Sequence, residues 1–447
     1  MSTSVWWIRR DMRLADNKAL QAAAADGAVV PLFVVDPVFA SAGGPRRGYM
    51  FATLRALDAA MGGALVVRNG RPHEMVPEIA SAVGAASVHI ASDFAPYGRR
   101  RDARVRDALT ARGIELVESD SNYVVDPGVV RKDDGTPLKV FTPFFKRWLT
   151  HDFTHAPDGT VAYADAASLS EGLPGPGNHP NAELEAGERA AWERWNEWSM
   201  RGLEGYKDLR NDPGIDATSK LSPYLRFGVV HPRQLLAVLP PAAGSDHFRS
   251  EIAWREFYAD VLFHQPRTAW ENLQSKMDAL PVDTGAAAEA KFARFCAAQT
   301  GYPIVDAGIR QMLATGWMHN RVRMIVASFL VKDLHLPWQW GAKFFMDHLI
   351  DGDIASNNHG WQWTAGTGTD AAPYFRVFNP VGQSAKFDPE GRYLRTWIPE
   401  IAGLDDRIIH DPAAWGLLAP EGYPAPIVDH ARERDEALAR YKFVSGK

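Results

Sequence analysis

Over the first 130 residues, short apolar runs alternate with stretches of helical spacing. The runs at 4–8, 29–35, 64–68, 87–91 and 114–118 read as strands, and 49–61 and 101–112 read as helices. That rhythm predicts a doubly wound parallel α/β domain over 1–130. No G-x-G-x-x-G follows the first strand, so a dinucleotide held by the usual glycine-rich turn is not expected there. Between about 150 and 188 the chain turns rich in Pro, Gly and Ala (HAPDGT, EGLPGPGNHPN) and loses its period. An interdomain linker is therefore placed at 131–190. From Arg189 onward the patterns are mostly helical, which predicts an all-α domain over 191–447.

Composition narrows the class without naming a function. At 447 residues, with 46% hydrophobic and 23% charged residues, two soluble domains are expected. The opening MSTSVWWIRRDMR lacks a signal-peptide core and no later run reaches membrane length, so the expected location is cytoplasmic. A single cysteine, Cys296, excludes intramolecular disulfides and Cys-based metal clusters. The net charge of −5 argues against nucleic acid only in bulk, because phosphate affinity follows local basic patches.

Four segments carry candidate chemistry. In 317–334 (WMHNRVRMIVASFLVKDL), Met318, Val322, Ile325 and Phe329 form an apolar stripe, with Asn320 and Met324 one turn apart on the other side. That second face is either solvated or laid against a ligand, and Arg321 and Arg323 beside it suit phosphates or carboxylates. In SEIAWREFYADVLFH, Glu251, Trp254, Arg255 and Tyr258 share adjoining helical faces. A carboxylate beside an indole suits a flat, hydrogen-bonding heterocycle, and an intrahelical Glu251–Arg255 pair is the alternative. In TSKLSPYLRFG, the hydroxyls of Thr218, Ser219 and Ser222 with Lys220 precede a helix, either as an anion site or as a capping box. The fourth, DGDIASNNHGWQWTAGTGTDAAPYF at 351–375, crowds three aspartates, two asparagines and two indoles among small residues. Together they suggest a helical domain holding a large aromatic, phosphate-bearing cofactor.

These four blocks and the amino-terminal WWIRRDMRLADNKAL closely resemble the hallmark segments of the photolyase and cryptochrome family, in the family's order and over nearly the whole chain. Within it the chain is most similar to class I cyclobutane pyrimidine dimer photolyases. The resemblance implies an α/β antenna domain, a linker and a helical domain binding FAD. Carried over by position, the FAD contacts are Tyr206, Thr218, Ser219, Lys220, Leu221, Ser222, Arg255, Arg323, Asp351, Asp353 and Asn357, the last beside flavin N5. The implied reaction is electron transfer from photoexcited FADH⁻ to a pyrimidine dimer flipped out of DNA, followed by ring splitting and electron return. Glu251 would hydrogen-bond the dimer, Trp254 and Trp363 would stack on it, and Asn320, Arg321 and Met324 would line its pocket. Arg226, Arg376, Lys386, Arg392 and Arg395 are candidates for DNA phosphates.

Repair enzymes for (6-4) photoproducts carry two histidines where this chain has Asn320 and Met324, which argues against that lesion. Asn357 and the missing signalling tail favour an enzyme, with a cryptochrome-type photoreceptor acting on a protein partner as the alternative. Trp361 and Trp338 match the inner and middle positions of the family's electron relay. No tryptophan occupies the outer position, so either another aromatic residue such as Trp340 ends the relay or photoreduction is slow. Folate-binding relatives have a glutamate where this chain has Gly98, whereas Asp93, Arg47 and Arg226 match positions serving a deazaflavin, so a deazaflavin or flavin antenna is preferred over folate, with an empty pocket as the alternative. A monomer is expected.

Overall fold

The computed structural model describes residues 2–155, 158–175, 179–181, 183–370 and 376–446. Contacts divide the chain into two compact units, Met1–Arg201 with Ser219–Pro266, and Gly202–Thr218 with Arg267–Lys447.

In the first unit five parallel strands run in the order β3-β2-β1-β4-β5, with β1 at Thr3–Ile8, β2 at Ala28–Val35, β3 at Val66–Asn69, β4 at Ser87–Ser92 and β5 at Glu115–Ser121. The helices Lys18–Asp26, Gly44–Ala60, Pro72–Ala82 and Pro96–Thr110 come between successive strands. Val5, Val30, Leu32, Val66, Val88 and Ile90 are fully buried, as expected for parallel strands covered on both faces. The fifth strand runs past its predicted end through Asp120, where hydropathy gives no signal. The predicted linker is partly tied to the sheet. Val29 N donates to Ala162 O, Ala164 N to Val29 O and Glu171 N to Val67 O, so the connection runs along the β3 side and covers backbone an edge would expose.

The contact boundary differs from the compositional one for a physical reason. The helix Ser245–His264 belongs to the first unit because its carboxylates satisfy loop backbone there. Glu256 accepts from Val124 N (2.5 Å), Val125 N (3.1 Å) and the Trp148 indole (2.6 Å), and Asp260 accepts from Gly128 N (2.7 Å). Burial pushes the Glu256 carboxyl up to about 7, against the hydrogen bonds that lower it. Arg233 likewise binds Asp16 (2.6 Å) and Asp120.

The second unit is helical, built chiefly from Pro303–Thr315, Asn320–Ser328, Trp338–His348, Ile354–Ala365, Pro380–Phe387 and His430–Ser445. The predicted stripe of Met318, Val322, Ile325 and Phe329 is buried in its core. The helix expected over 317–334 is shorter. His319 caps it by accepting from Arg321 N (3.2 Å), and after Ser328 it widens into a π-turn, Phe329–Asp333, that buries Lys332 and Asp333. Among the described residues no helix is long and apolar enough to cross a membrane.

Candidate functional site

In the second unit, the helix Ile354–Ala365 organises the candidate residues. Asp353 caps it, accepting from Ala355 N (3.0 Å) and Ser356 N (3.2 Å). Asp351, with its side chain 2% exposed, pairs with Arg323 at 2.8 Å, and Arg323 also donates to Met318 O (2.8 Å). That pair joins this helix's entry to the Asn320–Ser328 helix. Asn357 donates its amide hydrogens to Ala342 O (3.0 Å) and Asn358 Oδ1 (2.8 Å), so the atom it presents is its carbonyl oxygen. A Cβ built on Gly341 would overlap the Trp361 ring, so only glycine lets that indole lie on the Trp338–His348 helix. Trp361 is 2% exposed, and its N–H has no hydrogen-bond partner among the described residues. Trp338 is buried with its N–H on Asn272 Oδ1 at 2.9 Å.

A buried polar lattice that the sequence reading missed fixes segment 268–274 against the same helix. His359 Nε2 meets Thr268 Oγ1 (3.0 Å), Gln362 donates to Thr268 O (2.8 Å) and accepts from Leu273 N (2.9 Å), and Asn358 donates to Ala269 O. Burial pulls the His359 pKa down to about 4, so the ring is neutral and serves as a fixed hydrogen-bonding group.

Asn320 is exposed and Met324 half-buried, so the face opposite the apolar stripe is open, as the period suggested. Arg321 donates to Asn211 Oδ1 (2.7 Å) and lies over the Phe387 ring at 4.4 Å. Tyr206 is buried under Arg210 and Trp363 is half-buried. Arg376 and Lys386 are exposed, and Arg392 pairs with Glu390. Arg395 is a correction to the phosphate candidates, because its donors are taken by Ala402 O, Leu404 O, Glu390 O and Asp406 within the fold. The end of the aspartate-rich segment, 371–375, lies outside the described residues.

In the first unit, Trp254 lies flat on Phe141, with centroids 3.8 Å apart and planes 9° from parallel. Tyr258 leans against it at 5.4 Å. One face of this half-buried indole is therefore covered and held. Arg255 reaches Asn122 O (2.8 Å) and Leu225 O (3.3 Å) and lies over Tyr123. Glu251 is half-buried on the same helix. The capping-box alternative for 218–228 fails. The six-residue helix Ser222–Phe227 has Leu221 at its N-cap with no side-chain cap, and Ser219 offers its carbonyl to Arg194 (2.9 Å). Lys220 sits at positive φ and pairs with Glu183 (3.1 Å).

The switch in strand order between β1 and β4 opens a crevice lined by Arg9, Arg10, Ser92, Asp93, Asn122 and Tyr123, where open α/β sheets bind ligands. Burial raises the Asp93 pKa, but Arg101, Arg10 and Arg9 outweigh it and the net shift is downward. A Cβ on Gly98 would overlap the Asp93 carboxylate, so any side chain there would require Asp93 to move. Arg226 offers its carbonyl to Arg10 (3.3 Å). Arg47 is not among the lining residues and donates to Phe39 O and Ala40 O.

The family models for DNA photolyase and for the FAD-binding domain of DNA photolyase match residues 4–160 and 248–443. The chain is 39% identical to the deoxyribodipyrimidine photo-lyase of Streptomyces griseus, over 100% of each. It belongs to the DNA photolyase family. A bacterial class III photolyase from Agrobacterium tumefaciens superposes with a TM-score of 0.92 at 34% identity, covering 100% of this chain and 98% of that one. At 28% identity, an archaeal photolyase from Sulfolobus tokodaii with two FAD molecules (TM-score 0.88, 99% and 100% covered) and a Synechocystis cryptochrome (0.89, 99% and 99%) share the fold. The second unit's donor set fits a photolyase flavin. With both amide hydrogens donated, Asn357 keeps its carbonyl oxygen as an acceptor suited to a flavin ring N–H.

Proposed function

We propose that this chain is a light-driven DNA repair enzyme that splits cyclobutane pyrimidine dimers. The observation that carries the reading is the Asn357 amide, whose hydrogens are both occupied so that it offers an acceptor suited to the protonated N5 of reduced flavin. Reduced FAD held in this site would supply light-driven one-electron chemistry for splitting the dimer. Every other task falls to the chain. Asp351 and Arg323 brace the cofactor helices, with Tyr206, Thr218, Ser219, Lys220, Leu221, Ser222, Arg255 and Asp353 as further contacts. Trp254, held flat by Phe141, and Trp363 stack on the extruded bases, Asn320, Arg321 and Met324 line their pocket, and Glu251 hydrogen-bonds a base edge. Residues 1–130 serve as the antenna domain, 131–190 as the linker and 191–447 as the FAD domain. A flavin or deazaflavin antenna is preferred to folate, because Gly98 stands where folate-binding relatives carry a glutamate.

Glu251→Ala is expected to slow repair about tenfold or more, the loss of one charge-assisted hydrogen bond, while flavin absorbance per protein stays at the wild-type value. Repair at the wild-type rate would remove Glu251 from the pocket.

A further inference from the structure

We infer that Trp270 is the surface terminus through which electrons enter this protein, completing a line of indoles with Trp361 and Trp338. Indole can give up an electron without first losing a proton, and the positive charge this leaves on it costs least where water reaches the ring. Exposure rises along this line from 2% at Trp361 to 4% at Trp338 and 46% at Trp270. The links are structural. Trp361 lies on the backbone at Gly341, one turn from Trp338. The Trp338 N–H is held by Asn272, two residues from Trp270, and the neighbouring Gln339 donates to Trp270 O at 3.2 Å. The lattice from Asn358 and Gln362 to Ala269 O and Thr268 O fixes the segment that carries Trp270. Trp340, the substitute the sequence offered, is half-buried and packed on Phe292 at 5.3 Å against the apolar core. A charge there is poorly hydrated.

The inference rests on FAD being bound in the second unit, as proposed above. When oxidised flavin is excited, Trp361 gives up one electron and is refilled from Trp338, which is refilled from Trp270. The Trp270 radical cation releases its Nε1 proton to water, and the neutral radical is restored by a hydrogen atom from a small-molecule thiol. Two such thiyl radicals then couple to a disulfide.

The test illuminates the FAD-loaded, oxidised full-length protein with blue light in the presence of a nitroso spin trap and maps the adduct by peptide mass spectrometry. The wild-type adduct is expected on Trp270. Trp270→Phe should lose it and, at unchanged flavin content, slow light-driven flavin reduction at least about tenfold. Trp340→Phe should keep both. An adduct confined to another residue, or wild-type reduction by Trp270→Phe, would overturn the assignment. Mapping the wild-type adduct needs no variant, so it decides the question even if Trp270→Phe fails to fold. Dimer repair by chemically reduced wild type judges the proposed function separately, since no electron then enters through Trp270.

Discussion

Replacing Asp351 by Ala is expected to destabilise the second unit by about 3 kcal/mol and to give protein that purifies with little FAD. The side chain of Asp351 is almost wholly buried, and its partner Arg323 donates to both Asp351 and Met318 O. Removing the carboxylate leaves a guanidinium without its counter-charge, and breaking a buried pair costs about 3–5 kcal/mol. The lower end applies because the Arg323 side chain is 25% exposed. Asp351→Asn keeps an acceptor and should fall between. Thermal denaturation and the ratio of flavin to protein absorbance read both effects. An unchanged melting temperature and full flavin content in Asp351→Ala would show that this pair does not brace the cofactor.

Trp254→Ala is expected to weaken binding of a dimer-containing oligonucleotide by about 5- to 150-fold, the range that corresponds to the roughly 1–3 kcal/mol of one base–aromatic stack. FAD content should not change. Phe141→Ala should produce a smaller loss, because the indole remains but loses the ring that holds it flat at 3.8 Å. Titration with labelled oligonucleotide checks both. If Trp254→Ala bound the lesion as tightly as wild type, the extruded bases would have to stack elsewhere.

The strands were legible because a parallel sheet buried on both faces writes itself as Val, Ile and Leu runs, and the stripe of Met318, Val322, Ile325 and Phe329 because one helical face meets a core. Three features were not. The π-turn at Phe329–Asp333 leaves the apolar period intact while burying Lys332 and Asp333, which no hydropathy pattern marks. The unit boundary depends on Glu256 and Asp260 binding backbone more than 130 residues away. In the candidate site, the aspartates, Asn357 and the indoles stood out as a crowded polar run. The lattice from Asn358, His359 and Gln362 to 268–274 did not, since its partners are backbone groups and one threonine about 90 residues earlier. Trp270 gave no signal for the same reason: the hydrogen bond that ties it to the neighbourhood of Trp338 runs from Gln339 to its backbone carbonyl. Arg395 looked like a phosphate ligand because a sequence does not show which guanidinium is saturated by nearby carbonyls.

The most direct measurement is repair of a short oligonucleotide carrying one thymine cyclobutane dimer, with the reduced, FAD-loaded protein, in light and in darkness, beside an oligonucleotide carrying a (6-4) photoproduct. Restoration of the cyclobutane substrate in light alone, with the (6-4) substrate untouched, is the predicted result. No repair of either lesion by protein shown to hold reduced FAD would contradict the account and leave a flavin photoreceptor as the better reading.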